Sequence, residues 1–119
     1  MSDDERTDFL WQLALACREE APLWEIPRGS TDLIGNTSVL HGPWSAGDCS
    51  RVLTNWLDGG LLGLYRREGD AIVDVDHADA RDLLCASDLW TLNNSPNLYV
   101  TDVGNSLTPD EWIVLASRP

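Results

Sequence analysis

Seven carboxylates fall between residues 68 and 88 (Glu68, Asp70, Asp74, Asp76, Asp79, Asp82 and Asp88) against one cation, Arg81. Side chains so arranged can hold a metal, move protons or present a negative field to a basic surface. Spacing argues against calcium: Asp74-x-Asp76 opens like an EF-hand loop, but its sixth position is Asp79 where the turn needs Gly, and its twelfth is Cys85 where a Glu belongs. Cys17, His41, Cys49, His77 and Cys85 have no pair at zinc-ligand spacing. The cysteines read as buried structural thiols, His77 as a surface residue at a helix start, and His41 as a loop residue with no evident acid or nucleophile beside it. No Gly-rich phosphate loop, Gly-x-Ser-x-Gly or His-Glu-x-x-His occurs. No catalytic, cofactor-binding or metal residue is therefore assigned, and a non-enzyme without cofactor is expected. The field remains: such a cluster mimics nucleic-acid phosphates and suits the basic groove of a nuclease or other nucleic-acid-binding protein. Asp70, Asp74, Asp76, Asp79 and Asp82 are its candidate contacts, with Asp76 also read as a helix cap and Asp79 as favouring the helix dipole.

Two further surfaces carry chemistry. On the helix expected over residues 46–57, the 3.6-residue period places Gly47, Asp48, Arg51, Thr54, Asn55 and Asp58 towards solvent. Arg51, Thr54 and Asn55 are side chains that can read base edges, and Arg66 and Arg67 could reach a phosphate from the following strand. Asp48 lies three residues before Arg51, close enough to pair with it, and Asp58, Glu68 and Asp70 add repulsion. On the first helix Trp11 and Leu15 fall opposite Leu10 and Leu13, an apolar pair on a polar face and a candidate for dimerisation or partner contact unless the C-terminal segment or residues 29–43 cover it.

The elements that must position these groups are readable from pattern. Residues 4–20 predict a helix with Phe9, Leu10, Leu13, Ala14, Ala16 and Cys17 inward, stopped by Pro22. Residues 23–26 predict a short strand closed by Pro27, and 28–43 a loop with at most one helical turn near 31–34. Ser45 caps the clearest helix, whose Ala46, Cys49, Val52, Leu53, Trp56 and Leu57 recur at helical spacing before Asp58-Gly59-Gly60 ends it. Strands follow at 61–67 and 71–75 around Glu68-Gly69-Asp70, then a helix capped by Asp76 running towards Trp90. Residues 91–97 predict a polar loop, 98–101 a strand and 102–104 a turn. Thr108-Pro109-Asp110-Glu111 has the form of a capping box, while Trp112 to Leu115 suits either helix or strand.

At 119 residues, 43% apolar and with six Trp spread along it, the chain predicts one domain over 1–119. Twenty Asp and Glu against eight Arg give a net charge of −12, which disfavours duplex nucleic acid and favours a basic protein partner. Three cysteines without a CxxC pair suit reduced thiols, no apolar run approaches a membrane span, and the acidic start is unlike a signal peptide. The expected location is the cytoplasm.

The run from Ser50-Arg51-Val52-Leu53 through Asp58-Gly59-Gly60 to Leu64-Tyr65-Arg66 resembles the second helix of a helix-turn-helix entering the wing of a winged-helix domain. Leu98-Tyr99-Val100-Thr101-Asp102-Val103-Gly104 is similar to the strand and turn that close the wing in MarR and PadR regulators. The layout also resembles small acidic actinobacterial and phage-type proteins, from which no active site carries over. The resemblance implies an α+β, winged-helix-like architecture of about three helices packed on a small antiparallel sheet. Together with the charge, this leads to an expected non-catalytic protein-interaction module, such as an immunity protein or phage-type inhibitor of a basic protein. A winged-helix DNA-binding regulator is the alternative.

Overall fold

The computed structural model describes residues 1–92 and 95–117. The first helix, α1 (Asp3–Arg18), starts where the Ser2 hydroxyl accepts the Glu5 N–H, with Asp3, Asp4 and Glu5 complementing the dipole. It buries Phe9, Leu10, Leu13 and Cys17. It ends in a Schellman motif: Ala21 N–H bonds the Ala16 carbonyl at 3.0 Å, Glu20 N–H bonds that of Cys17 at 3.2 Å, and Glu20 takes φ 56°.

Residues 23–26 form a 3-10 helix, Leu23–Arg28, and not the predicted strand. Its buried side chains, Leu23 and Ile26, are three apart, the 3-10 period, whereas a strand would bury alternate residues. The predicted loop at 28–43 is instead a hairpin, β1 (Ser30–Ile34) against β2 (Thr37–His41). Gly35-Asn36 is its two-residue connection, and Gly35 at φ 63° supplies the positive φ such tight turns need. At the hairpin base there is no room for a side chain at Gly29: a Cβ there would lie 1.9 Å from the His41 carbonyl oxygen.

The central helix is α2 (Ala46–Asp58), capped by Ser45 as expected and burying Cys49, Val52, Leu53, Thr54, Trp56 and Leu57. It closes with the same motif as α1, now with glycine at the left-handed position: Gly60 has φ 78°, and Leu61 N–H reaches the Trp56 carbonyl at 3.0 Å. Next come β3 (Leu62–Glu68), β4 (Ala71–Val75), α3 (His77–Cys85) and a 3-10 turn, Ser87–Leu89. Of the loop predicted at 91–97, residues 93 and 94 lie outside the described residues, while 97 opens β5 (Asn97–Val100). The turn expected at 102–104 is a short helix, α4 (Asp102–Ser106), and the capping box starts α5 (Pro109–Ala116), which settles the Trp112 to Leu115 segment as helix.

The chain is thus α+β with two small antiparallel sheets, β1-β2 and β4-β3-β5. The described residues hold five α-helices and two 3-10 segments, more than the three helices expected. A hairpin precedes α2, where a helix-turn-helix has a helix. The core centres on α2: Trp56 and Trp112 meet edge to face at 5.0 Å, the Trp56 indole N–H donates to the Trp112 carbonyl at 2.8 Å, and the Trp112 indole to the Gly104 carbonyl at 3.0 Å.

The β1-β2 hairpin is held to α1 by polar contacts. Ser30 Oγ donates to Gln12 Oε1 at 3.2 Å, and the His41 ring lies between Asp8 Oδ2 of α1, 2.9 Å from Nδ1, and Asp32 Oδ2 of β1, 2.8 Å from Nε2. His41 therefore has two acids beside it, brought by elements distant in sequence, where none was evident. The Asp8 hydrogen bond, reinforced by Asp32, outweighs partial burial and raises its pKa above 6.5.

Two outcomes are expected. Trp56→Ala should lower unfolding free energy by about 3 to 5 kcal/mol in urea titration, the cost of truncating a buried aromatic. Because the folded state raises the His41 pKa, its stabilising effect is complete below the unfolded value of 6.5 and disappears as pH rises through the folded value. Urea midpoints should fall across that window in the wild type and lose that component in His41→Gln.

Candidate functional site

The acidic segment folds into a β-strand and a helix that together wall a groove. Antiparallel pairing sets Arg66 opposite Val73 and Leu64 opposite Val75, so Val73 and Val75 share the sheet face that meets α3. Along α3, Asp79, Asp82, Leu83 and Ala86 follow i, i+3, i+4, i+7 spacing and line one helix stripe, while Ala80 and Leu84 enter the core. Between them lies an open groove of about 630 Å³ with Val73, Val75, Leu83 and Ala86 as apolar lining, Asp76, Asp79 and Asp82 as carboxylates, and Arg66 also lining it. Asp76 Oδ1 accepts the Asp79 N–H at 2.9 Å as the α3 cap. None of these three carboxylates forms an ion pair among the described residues. Arg81, the one cation of the acidic run, is on another stripe of α3 and pairs with Asp58 at 3.3 Å, as does His77.

The other acidic candidates separate from this group. Asp70 sits exposed in the β3–β4 turn. Asp74 borders the groove, but its carboxylate is on the opposite sheet face, where it accepts the Tyr99 hydroxyl at 2.6 Å. That face forms a second open groove of about 710 Å³, with Arg18, Glu20, Tyr65, Ile72, Tyr99 and Asn105 among its lining residues. Tyr99 reaches Asp74 from the far strand because its cross-strand partner is Gly63: a Cβ at Gly63 would lie 2.4 Å from the ring, so only glycine lets Tyr99 lie flat over β3. The Asp74 hydrogen bond, with burial, pushes the Tyr99 pKa up to about 12. Burial, then the Glu20 carboxylate, raises that of Tyr65. Sequence reading missed this face because its aromatic and acidic members come from three strands and the end of α1.

The candidate base-reading set is not assembled. Arg51 is exposed and pairs with Asp48 at 2.9 Å, as its spacing predicts. Thr54 is buried, its hydroxyl 3.9 Å from Cys85 Sγ, and the Asn55 amide donates to the Ala116 carbonyl at 2.9 Å. Both were expected on the solvent face. The single-stripe reading of α2 fails because α3 covers one flank and α5 the other. Arg66 and Arg67, adjacent in a strand, point to opposite faces: Arg66 lines the acidic groove, while Arg67 lies 6.0 Å from the Tyr65 ring centroid.

Trp11 and Leu15 remain 44% and 46% exposed. Leu15 borders a recess of about 200 Å³ between α1 and the hairpin base, with no lining residue in common with the acidic groove. The hairpin adds exposed Leu33, Ile34 and Leu40, which the loop expectation concealed. Cys17 and Cys49 are buried, their thiols pushed up to about 12 by desolvation, but Cys85 is exposed, against the expectation of burial. Among the described residues no group of three His, Cys, Asp or Glu is placed to hold a metal, and no helix is long and apolar enough to cross a membrane.

The chain was compared with family models, curated proteins and solved structures. None matches.

Gly63→Ala should displace the Tyr99 ring and break its bond to Asp74. A raised tyrosine pKa stabilises the fold below pH 10, an effect lost as pH rises through about 12. Ultraviolet titration should show one tyrosine returning towards the ordinary value in Gly63→Ala; an unchanged curve would place Tyr99 elsewhere.

Proposed function

We propose that this chain is a non-catalytic protein-interaction module that receives a basic protein at the groove between β4 and α3. The observation that carries the reading is the disposition of Asp76, Asp79 and Asp82 beside an apolar lining with no ion pair of their own among the described residues. Such a groove suits Arg or Lys, whose methylenes cover the apolar lining while the charged heads meet the carboxylates. The net charge of −12 would steer a basic partner towards it and repel polyanions. An immunity protein that neutralises a nuclease, or a phage-type inhibitor of a nucleic-acid-binding protein, is the concrete form. The scaffold we propose is winged-helix-like, with α2 followed by the β3–β4 hairpin in the order of recognition helix and wing. A hairpin in place of the preceding helix would remove the element that crosses the DNA backbone in helix-turn-helix proteins. The burial of Thr54 and the engagement of Asn55 further weaken the regulator alternative.

The triple change Asp76→Asn, Asp79→Asn and Asp82→Asn preserves a capping side chain at position 76. It should slow association with a captured basic partner by roughly tenfold, and the wild-type rate should fall as salt rises. Equal rates would overturn the groove as contact surface. In gel shifts with upstream DNA, a fragment retained near ~0.15 M salt and released by Arg51→Ala would favour the regulator instead.

A further inference from the structure

The two edges of the β4-β3-β5 sheet are treated differently. Along β5 the chain closes its own edge: Pro22 bridges Asn97, Leu23 N–H bonds the Pro96 carbonyl at 3.1 Å, and Leu98 N–H bonds the Ala21 carbonyl at 3.0 Å. Along β4 no described segment pairs with the outer edge. The β3–β4 connection is the two residues Gly69-Asp70, which makes Glu68 and Ala71 the hydrogen-bonded closing pair. Alternation then assigns Val73 and Val75 to β3 as well, and turns the main-chain N–H and C=O of Ile72 and Asp74 outward. Ile72 is 63% exposed, and β4 carries neither the Pro nor the Lys that commonly blunts such an edge.

What the edge does carry is negative charge and a groove on each side. Asp70 and Asp74 lie on or beside the strand, and Asp76, Asp79 and Asp82 border the groove on its α3 side. A second copy of this chain would bring −12 against −12 and set these carboxylates against one another. A cationic strand instead meets opposite charges at Asp76, Asp79 and Asp82 on the α3 side, where Arg66 is the one cation among the described lining residues. The β1-β2 hairpin also has backbone edges, but its own ionisable groups are Asp32 and His41, already bonded to each other, and the acidic recess at its base, bordered by Glu19, Glu25 and Asp32, holds about 200 Å³ against about 630 Å³ for the groove beside β4.

We propose that β4 is a strand-addition site for an extended, basic segment of the partner. This rests on the acidic-groove reading and specifies how the partner engages it. The segment bonds through its main chain to Ile72 and Asp74. Alternate side chains fall on alternate faces: cations enter the groove of Asp76, Asp79 and Asp82, and the intervening apolar residues meet Ile72 and the Tyr99 ring on the other face. The fitting sequence alternates Arg or Lys with apolar residues.

The probe is a seven-residue peptide of alternating Arg and Val, blocked at both ends, titrated into isotope-labelled protein to ~1 mM. Hydrogen exchange at the Ile72 and Asp74 amides should slow by roughly tenfold or more on saturation, as expected for newly paired amides. N-methylation of the peptide amides that face β4 should weaken binding at least as much, and Ile72→Pro, which removes an N–H that β3 does not use, should abolish it. The N-methylated peptide keeps the test decisive should Ile72→Pro impair folding. Equal affinity of the two peptides, unchanged exchange at Ile72 and Asp74, or no binding at ~1 mM overturns strand addition. If Asp79→Asn with Asp82→Asn still weakens association with the captured basic partner, the groove reading survives that failure; if it does not, both fall. Self-association of the wild type that Ile72→Pro removes would identify a second copy as the occupant and overturn the proposal.

Discussion

The structure depends on the burial of two indoles whose N–H groups cannot be left without acceptors. A buried unpaired donor costs about 1 to 3 kcal/mol, so Trp56 and Trp112 can enter the core only where a carbonyl waits. Both acceptors are main-chain: the carbonyl of Trp112 itself fixes α5 against α2, and that of Gly104 fixes α4 against α5. At Gly104 a Cβ would lie 2.2 Å from the Leu61 carbonyl oxygen, so the same residue that accepts the indole also lets the start of β3 approach. Thr101 completes the knot by bonding the carbonyls of Gly60 and Leu61, which anchors the end of β5 beside the beginning of β3. The sheet, its outer strand β4 and the groove against α3 are positioned from this point.

A comparison of the two Schellman ends shows where the fold tolerates strain. α2 uses Gly60 at the left-handed position, where glycine has no steric penalty. α1 uses Glu20 in the same role, a conformation that costs a residue with a Cβ about 1 to 2 kcal/mol. The arrangement is held by the bond from Asn97 Nδ2 to the Glu20 carbonyl at 2.8 Å. It delivers the Glu20 carboxylate to Tyr65, at the margin of the groove that Tyr99 and Asp74 also line.

What was legible in the sequence was whatever a single period encodes. α1 and α2 announce themselves because one face is buried and the ends carry Ser, Gly and Pro, and the β3–β4 hairpin through the apolar start of β3 and the Glu68-Gly69-Asp70 turn, although β4 itself is almost entirely exposed. Residues 30–41 were illegible as strands because they are almost entirely exposed, which leaves no alternation to read, and polar contacts from Ser30 and His41 tie them to α1; the Gly35-Asn36 pair was the one available signal. Leu23 and Ile26 were misread because a four-residue segment offers too little length to separate a period of three from a period of two. Thr54 and Asn55 were placed outside because a helix covered on two flanks buries more than its apolar stripe. The acidic site was half legible: the density of Asp was plain, but the separation of Asp74 from Asp76, Asp79 and Asp82 depends on strand alternation, and the association of Tyr99 with Asp74 depends on Gly63 in the strand between them.

The fold employs many of its carboxylates. Asp8 and Asp32 hold His41, Asp48 holds Arg51, Asp58 holds Arg81, Glu111 completes a capping box and Asp74 fixes Tyr99. Asp76 is the one acidic N-cap among the described α-helices, the others being Ser2, Ser45, Thr101 and Thr108. Asp79, in the first turn of α3, favours the helix dipole. Asp82 has no such role. It begins the last turn of α3, where the dipole disfavours negative charge and no basic residue offsets it. Its carboxylate therefore opposes the helix that carries it while adding to the field of the groove. Under the proposed function, a cation bound beside β4 would offset that charge.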